Sequence, residues 1–220
     1  MMFGKRRLWP NAAVGLLVAA VLVTLGAEMG QAAAKIKLVA FGDSITAGLG
    51  LKAQDAYPER LQRLLGAQGI DVEIANAGVS GDTAGDGLDR LDWSVPEGTD
   101  GVILALGAND MLRGLDPALT AATLEKIIVA LESRRIPILL VGMKAGANFG
   151  EPYRTAFDKI FRDLADRHSI DLYPFLLQDV ALDPALNQGD GIHPNPKGAA
   201  RIAERMLPSV LRLIGRIGKR

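Results

Sequence analysis

The chain has 220 residues, 49% of them hydrophobic and 5% aromatic, enough for one domain with a substantial core. Lys and Arg together number 25, as do Asp and Glu, so no charge excess favours a phosphate backbone and nucleic acid is not an expected partner. The absence of cysteine excludes disulfides, thiol catalysis and a lipid-modified N-terminal cysteine.

The chain opens with Lys5-Arg6-Arg7, an apolar stretch from Ala12 to Gly26, and the small residues of Gln31-Ala32-Ala33-Ala34. That order of basic, apolar and small residues is expected of a secretory signal peptide over residues 1–34. Its apolar part is about 15 residues, against the ~20 of a spanning helix, and an uncleaved N-terminal membrane anchor is the alternative. Leu8-Trp9-Pro10 after the two arginines fits the general secretory route better than a twin-arginine signal. Cleavage after Ala34 removes three basic residues and one acid, leaving a domain over residues 35–220 that is nearly neutral, exported to a periplasmic or secreted location, and expected to be a monomer.

Within that domain, short apolar runs recur at Leu38-Phe41, Val72-Ala75, Val102-Leu106 and Ile138-Val141, with a weaker one at Ile170-Tyr173. Helical spacing lies between them. Leu61, Leu64 and Leu65 share one face of Pro58 to Leu65; Leu124, Ile127, Ile128 and Leu131 repeat within Leu119 to Leu131; Phe157, Ile160, Phe161 and Leu164 repeat within Tyr153 to Ala165. A last helix from about Pro196 to Ile214 begins with proline in its first turn, and Pro208 is placed to kink it. Buried strands alternating with amphipathic helices imply an α/β fold, a three-layer α/β/α sandwich around a parallel sheet of about five strands. Sites in such sheets lie at the carboxyl ends of the strands.

Three loops there carry polar residues. Gly42-Asp43-Ser44 follows the first strand, Asn76 to Thr83 the second, and Gly107-Ala108-Asn109-Asp110 the third. By itself Ser44 reads equally as a helix cap or as a nucleophile, and a serine nucleophile needs a base, itself oriented by a third group. Of the two histidines, His168 ends a helical stretch, where a cation complements the dipole. His193 instead lies in Gly189-Asp190-Gly191-Ile192-His193-Pro194-Asn195, three residues after a carboxylate. One tight turn can bring Asp190 to its Nδ1 side and leave Nε2 facing a serine. Alternatively, Asp190 and His193 only decorate a helix entrance. Gly81 and Asn109 are candidate donors to a developing oxyanion, or simply turn and cap residues.

Taken together, GDSIT, NAGVSGDT, LGAND and DGIHPN, in that order over nearly the whole domain, resemble the blocks of the SGNH hydrolases, also called GDSL-type esterases and lipases. Within them the arylesterase and acyl-CoA thioesterase/lysophospholipase branch is most similar. The resemblance implies a flavodoxin-like sandwich with Ser44 as nucleophile, His193 as base and Asp190 as its partner. It further implies an oxyanion hole of the Ser44 and Gly81 N–H groups with the Asn109 side chain, no cofactor and no metal, and a small-molecule or lipid ester as substrate. Two departures are Ile45 in place of leucine and a loop from Gly142 to Gly150 without the usual proline near Gly146.

Asp43 and Asp82 are expected to bond nearby backbone, Asp110 to support the Asn109 loop, Trp93 to pack in the core or against a helix rather than stack on substrate, and Arg113 to be a solvated charge or to face an anionic substrate group. The basic ending Arg212, Arg216, Lys219 and Arg220 reads as a solvated tail or a peripheral membrane contact. Two other functional classes compete. One is a metal-dependent phosphoesterase built on the Asp and Asn loops, for which two histidines are few. The other is a non-enzymatic binding module for acyl or cell-wall material.

Overall fold

The computed structural model describes residues 1–4 and 35–217; apart from Met1–Gly4, the expected signal peptide lies outside the described residues. In chain order the elements are β1 (Ile36–Gly42), α1 (Ser44–Ala47), α2 (Tyr57–Ala67), β2 (Val72–Gly78), α3 (Ala84–Asp89), α4 (Leu91–Ser94), β3 (Gly101–Ala105), α5 (Ala108–Leu112), α6 (Pro117–Ser133), β4 (Ile138–Val141), α7 (Glu151–Asp158), α8 (Ile160–His168), β5 (Asp171–Tyr173) and α9 (Pro196–Ile217). The five strands form one parallel sheet in the order β2-β1-β3-β4-β5, as the alternating apolar runs require.

Every residue of β3 and β4 is buried because helices cover both faces. On one side α2 packs against α9; on the other α6 packs against α3 and α8. The predicted apolar stripes form these contacts: Leu61 and Leu65 from α2, Leu124, Ile127, Ile128 and Leu131 from α6, and Ile202, Met206, Val210 and Leu213 from α9 are all buried. Truncating one such leucine to alanine costs about 2–5 kcal/mol. The stretch from Tyr153 to Ala165 is two helices instead of one. It is interrupted at Lys159, next to Asp158, whose carboxylate leaves the helix to accept the Ala145 N–H at 2.8 Å. Helix α9 continues through Pro208 as one 22-residue element.

Strand order reverses at β1: the chain leaves it to β2 on one side, then returns to β3 on the other. A crevice opens at such a switch point, outside the strand carboxyl ends. Gly42, which ends β1, is in register with Gly78 of β2 and Ala105 of β3. The three polar loops therefore start at one level of the sheet.

Candidate active site

Ser44 is the first residue of α1, and the cap is its neighbour: Asp43 Oδ1 accepts the Ile45 N–H at 3.0 Å. The capping role is thus filled by Asp43, and the Ser44 hydroxyl is available for another partner. Ser44 Oγ lies 2.9 Å from His193 Nε2, and His193 Nδ1 lies 2.6 Å from Asp190 Oδ2. The other carboxylate oxygen of Asp190 accepts the backbone N–H groups of Ile192 and His193, at 2.9 and 3.0 Å. Those backbone bonds, with the His193 ring, hold the Asp190 carboxyl well below the usual carboxylate range. An ionised Asp190 accepts from Nδ1–H, so in the neutral imidazole Nε2 is an acceptor and the Ser44 hydroxyl donates to it. Such an arrangement can remove the serine proton as the oxygen attacks.

The histidine loop is fastened to its surroundings by side-chain amides. Gln188 Nε2 donates to Leu49 O at 2.7 Å and to Pro194 O at 3.0 Å, tying the loop to the segment after α1. Asn195 caps α9 by accepting from Lys197 N and Gly198 N at 2.9 and 3.1 Å, with Pro196 as the first helical residue.

On the opposite side, β2 ends against α1. A Cβ on Gly78 would stand 2.1 Å from Ala47 N, so only glycine admits this approach. The chain then turns at Gly81, with φ +91°, a conformation few other residues adopt. Helix α5 holds the turn from the third loop: Asn109 Nδ2 donates to Asp82 O at 2.9 Å and Arg113 Nη2 to Gly81 O at 2.7 Å. Asp110 supports them as expected, accepting Ala84 N at 2.8 Å and Thr120 Oγ1 at 3.3 Å. Among the described residues, neither the Ser44 nor the Gly81 N–H donates to a protein acceptor, and the Asn109 amide keeps a second hydrogen for another acceptor.

Beside Ser44 and His193 is a cavity of about 10 Å³, walled by Ile45, Leu51, Tyr57 and Pro194, with room for about one water. That space is too small for an ester substrate; Leu49 and Val79 after α1 and β2, Leu112 at the end of α5 and Ile192 in the histidine loop are exposed. Asp43 is buried, and Oδ2 has no partner among the described residues. Burial pushes its pKa up to about 6, against the opposing pull of the Ile45 N–H and of His193.

Several expectations need revision. Trp93 is 72% exposed on α4 and packs into no core, because Leu91 takes the buried face of that short helix. Among the described residues the Asp82 carboxylate accepts from no backbone N–H; it pairs instead with Arg90 Nε at 2.5 Å. Arg113 is exposed but bonded to Gly81 rather than free. Arg216 pairs with Asp171 at 2.8 Å, so this part of the basic ending fastens α9 to β5; Lys219 and Arg220 lie outside the described residues. His168 sits between Glu132 and Glu125, at 3.0 and 3.4 Å, joining α8 to α6 away from Ser44. Sequence reasoning missed Arg90 entirely. Its only signal was a lone cation within the apolar spacing of Leu88 and Leu91.

A parallel α/β sandwich whose first strand delivers a serine to a histidine, itself bonded to a carboxylate, has the arrangement of a serine hydrolase. Residues 40–201 match the GDSL-like Lipase/Acylhydrolase family, and the chain belongs to it. An arylesterase of Vibrio mimicus is 35% identical over 169 residues, 76% of this chain and 84% of that protein. The thioesterase 1/protease 1/lysophospholipase L1 of Escherichia coli is 35% identical over 185 residues, 84% of this chain and 88% of that protein. Among solved structures, the SGNH-hydrolase family esterase AlinE4 is 40% identical, with a TM-score of 0.69 over 81% of this chain and 96% of its own. The chain is accordingly an enzyme that hydrolyses esters, which displaces the binding-module alternative. Among the described residues, no helix is long and apolar enough to cross a membrane, and no group of three or more His, Asp and Glu is placed to hold a metal ion.

Proposed function

We propose that Ser44 is the nucleophile of this esterase, with His193 its general base and Asp190 the group that orients the imidazole. The supporting observation is the continuous chain from Ser44 Oγ to His193 Nε2 at 2.9 Å and from His193 Nδ1 to Asp190 Oδ2 at 2.6 Å. Ser44 Oγ attacks the ester carbonyl while its proton passes to Nε2. The negative charge that develops on the carbonyl oxygen is taken up by the N–H groups of Ser44 and Gly81 and the free hydrogen of the Asn109 amide. His193 then returns the proton to the departing alcohol or thiol, leaving an acyl-Ser44 ester. Water, deprotonated by the same imidazole, cleaves it.

The exposed apolar side chains of Leu49, Val79, Leu112 and Ile192 favour an acyl or aryl ester, and the arylesterase and thioesterase/lysophospholipase names of the relatives support the same substrate class. The chain acts as a monomer without cofactor, and its exposed apolar rim fits peripheral contact with a lipid surface. Residues 1–34 direct export to a periplasmic or secreted location, and an intact mass beginning at Lys35 checks this; retention of residues 1–34 would favour the anchored form.

The decisive experiment is a chain-length series of p-nitrophenyl esters with the wild type, Ser44→Ala and His193→Ala. Each substitution is expected to lower kcat by at least about 10⁴-fold while leaving the fold intact. Comparable rates in all three proteins would sink the mechanism.

A further inference from the structure

Arg90 is only 7% exposed, and a cation removed from water this far is kept only where partners replace its hydration. It stands at the joint between α3 and α4, below the open end of the sheet. Its Nε donates to Asp82 Oδ2 at 2.5 Å, Nη1 to Ala77 O and Ser94 Oγ at 3.0 Å each, and Nη2 to Gly42 O at 2.8 Å. The guanidinium carbon lies 4.4 Å from the Phe41 ring centroid, within range of a cation–π contact. Four of its five N–H donors are thereby used.

These partners are the parts that must agree for the ester chemistry. Pairing between β1 and β2 ends at Gly42 and Gly78, with a last backbone bond from Val79 N to Gly42 O at 3.0 Å, and beyond Val79 no backbone bond between the two segments holds the Ser44 turn beside the Gly81 turn. Arg90 grips the last carbonyl of β1 and the next-to-last carbonyl of β2. Through Asp82 it also grips the loop that follows, the same residue whose backbone oxygen receives Asn109 Nδ2 at 2.9 Å. One rigid planar group therefore connects the segment carrying the Ser44 N–H to the segment carrying the Gly81 N–H, and Asp82, which it holds, in turn receives the Asn109 amide. An oxyanion hole lowers a barrier only if its donors are already aimed when charge develops. Lysine could not substitute, since its donors radiate from one point and cannot span three acceptors on separate segments.

We infer that Arg90 is a positioning residue for catalysis, setting the spacing of the oxyanion donors relative to Ser44 through its bonds to Gly42, Ala77 and Asp82. This rests on the assignment of Ser44, Gly81 and Asn109 above. Arg90 itself does not touch substrate.

The test compares wild type, Arg90→Ala, Arg90→Lys and Ser44→Ala as full chains, each at a temperature where circular dichroism shows it folded. Arg90→Ala is expected to lower kcat about 100-fold with KM changed less than about threefold, because the lost interaction matters in the transition state. Millimolar guanidinium is expected to restore part of that kcat and to leave wild type unchanged. Arg90→Lys, which keeps the charge near Asp82, serves where the alanine variant does not fold, and is expected to lose at least about tenfold in kcat. A folded Arg90→Ala or Arg90→Lys protein with wild-type kcat, or a loss confined to thermal stability, overturns the inference. Inactive Ser44→Ala beside fully active Arg90 variants refutes this role alone. Wild-type rates in Ser44→Ala refute the site assignment on which it rests.

Discussion

The two halves of the site are held in opposite ways. The Ser44, Gly81 and Asn109 half is bound across three strands by polar groups that are themselves buried: Asp43, Asp82, Arg90 and Asp110 are each between 1% and 9% exposed. The Asp190–His193 half is a surface loop in which the Asp190 side chain is 46% exposed, shaped mainly by bonds spanning two or three residues. Donors that stabilise charge by being fixed beforehand belong where neighbours leave them no freedom. On the proposed mechanism His193 gains and returns a proton in each turnover and then activates water, and a base with that task needs solvent nearby and a locally oriented ring.

The contrast can be broken most directly at Asp190. Asp190→Ala is expected to lower kcat by about 10³–10⁴-fold through loss of imidazole orientation, with the melting temperature little changed because the carboxylate is exposed and its partners lie within its own loop. A large drop in melting temperature would show that the loop is integral to the core and would abolish the distinction. Asn109→Ala comes next: about 10²–10³-fold in kcat, now with about 1 kcal/mol of stability lost with the bond to Asp82 O. Steady-state kinetics beside thermal melts separates the two patterns.

The last effect is read in the pH dependence of stability. Asp43 has its pKa raised to about 6 in the fold, chiefly by burial, whereas an unfolded aspartate titrates near the ordinary value of about 3.9. Between those values the native state holds a proton that the unfolded state has released, so this group makes stability fall as pH rises from about 4 to about 6. Asp43→Asn keeps an oxygen to cap α1 and removes the buried charge. Its stability relative to wild type is expected to be flat below about pH 4 and to climb toward about pH 6, by up to about 3 kcal/mol. Denaturant melts across that range check it; a difference constant from pH 4 to 7 would mean Asp43 is ionised without cost.

Much of this was legible because the signals are local and repeated. Strands buried on both faces must be continuously apolar, so β1, β3 and β4 stand out as Leu38-Phe41, Val102-Leu106 and Ile138-Val141. The partnership of Asp190 and His193 was readable because three residues of separation permit a direct turn. The short helices α3, α4 and α5 were not, since six residues or fewer carry too little periodicity. Trp93 misled for the same reason: four residues of α4 do not define which face is buried. Arg90 was illegible because its partners Gly42 and Asp82 lie 48 and 8 residues away, and two of its four bonds go to backbone carbonyls, which carry no residue identity.

By itself the sequence determined the layered parallel architecture and the set of side chains brought to the strand ends, because periodicity, loop composition and motif order are properties of neighbouring residues. Only the tertiary structure decided that Asp43 caps α1 and leaves Ser44 Oγ free to meet His193, 149 residues away, at 2.9 Å. Only it placed one buried guanidinium between the end of β1 and the loop after β2. Those outcomes depend on strand order and on where the ladder between β1 and β2 stops, which are set by packing across the whole sheet.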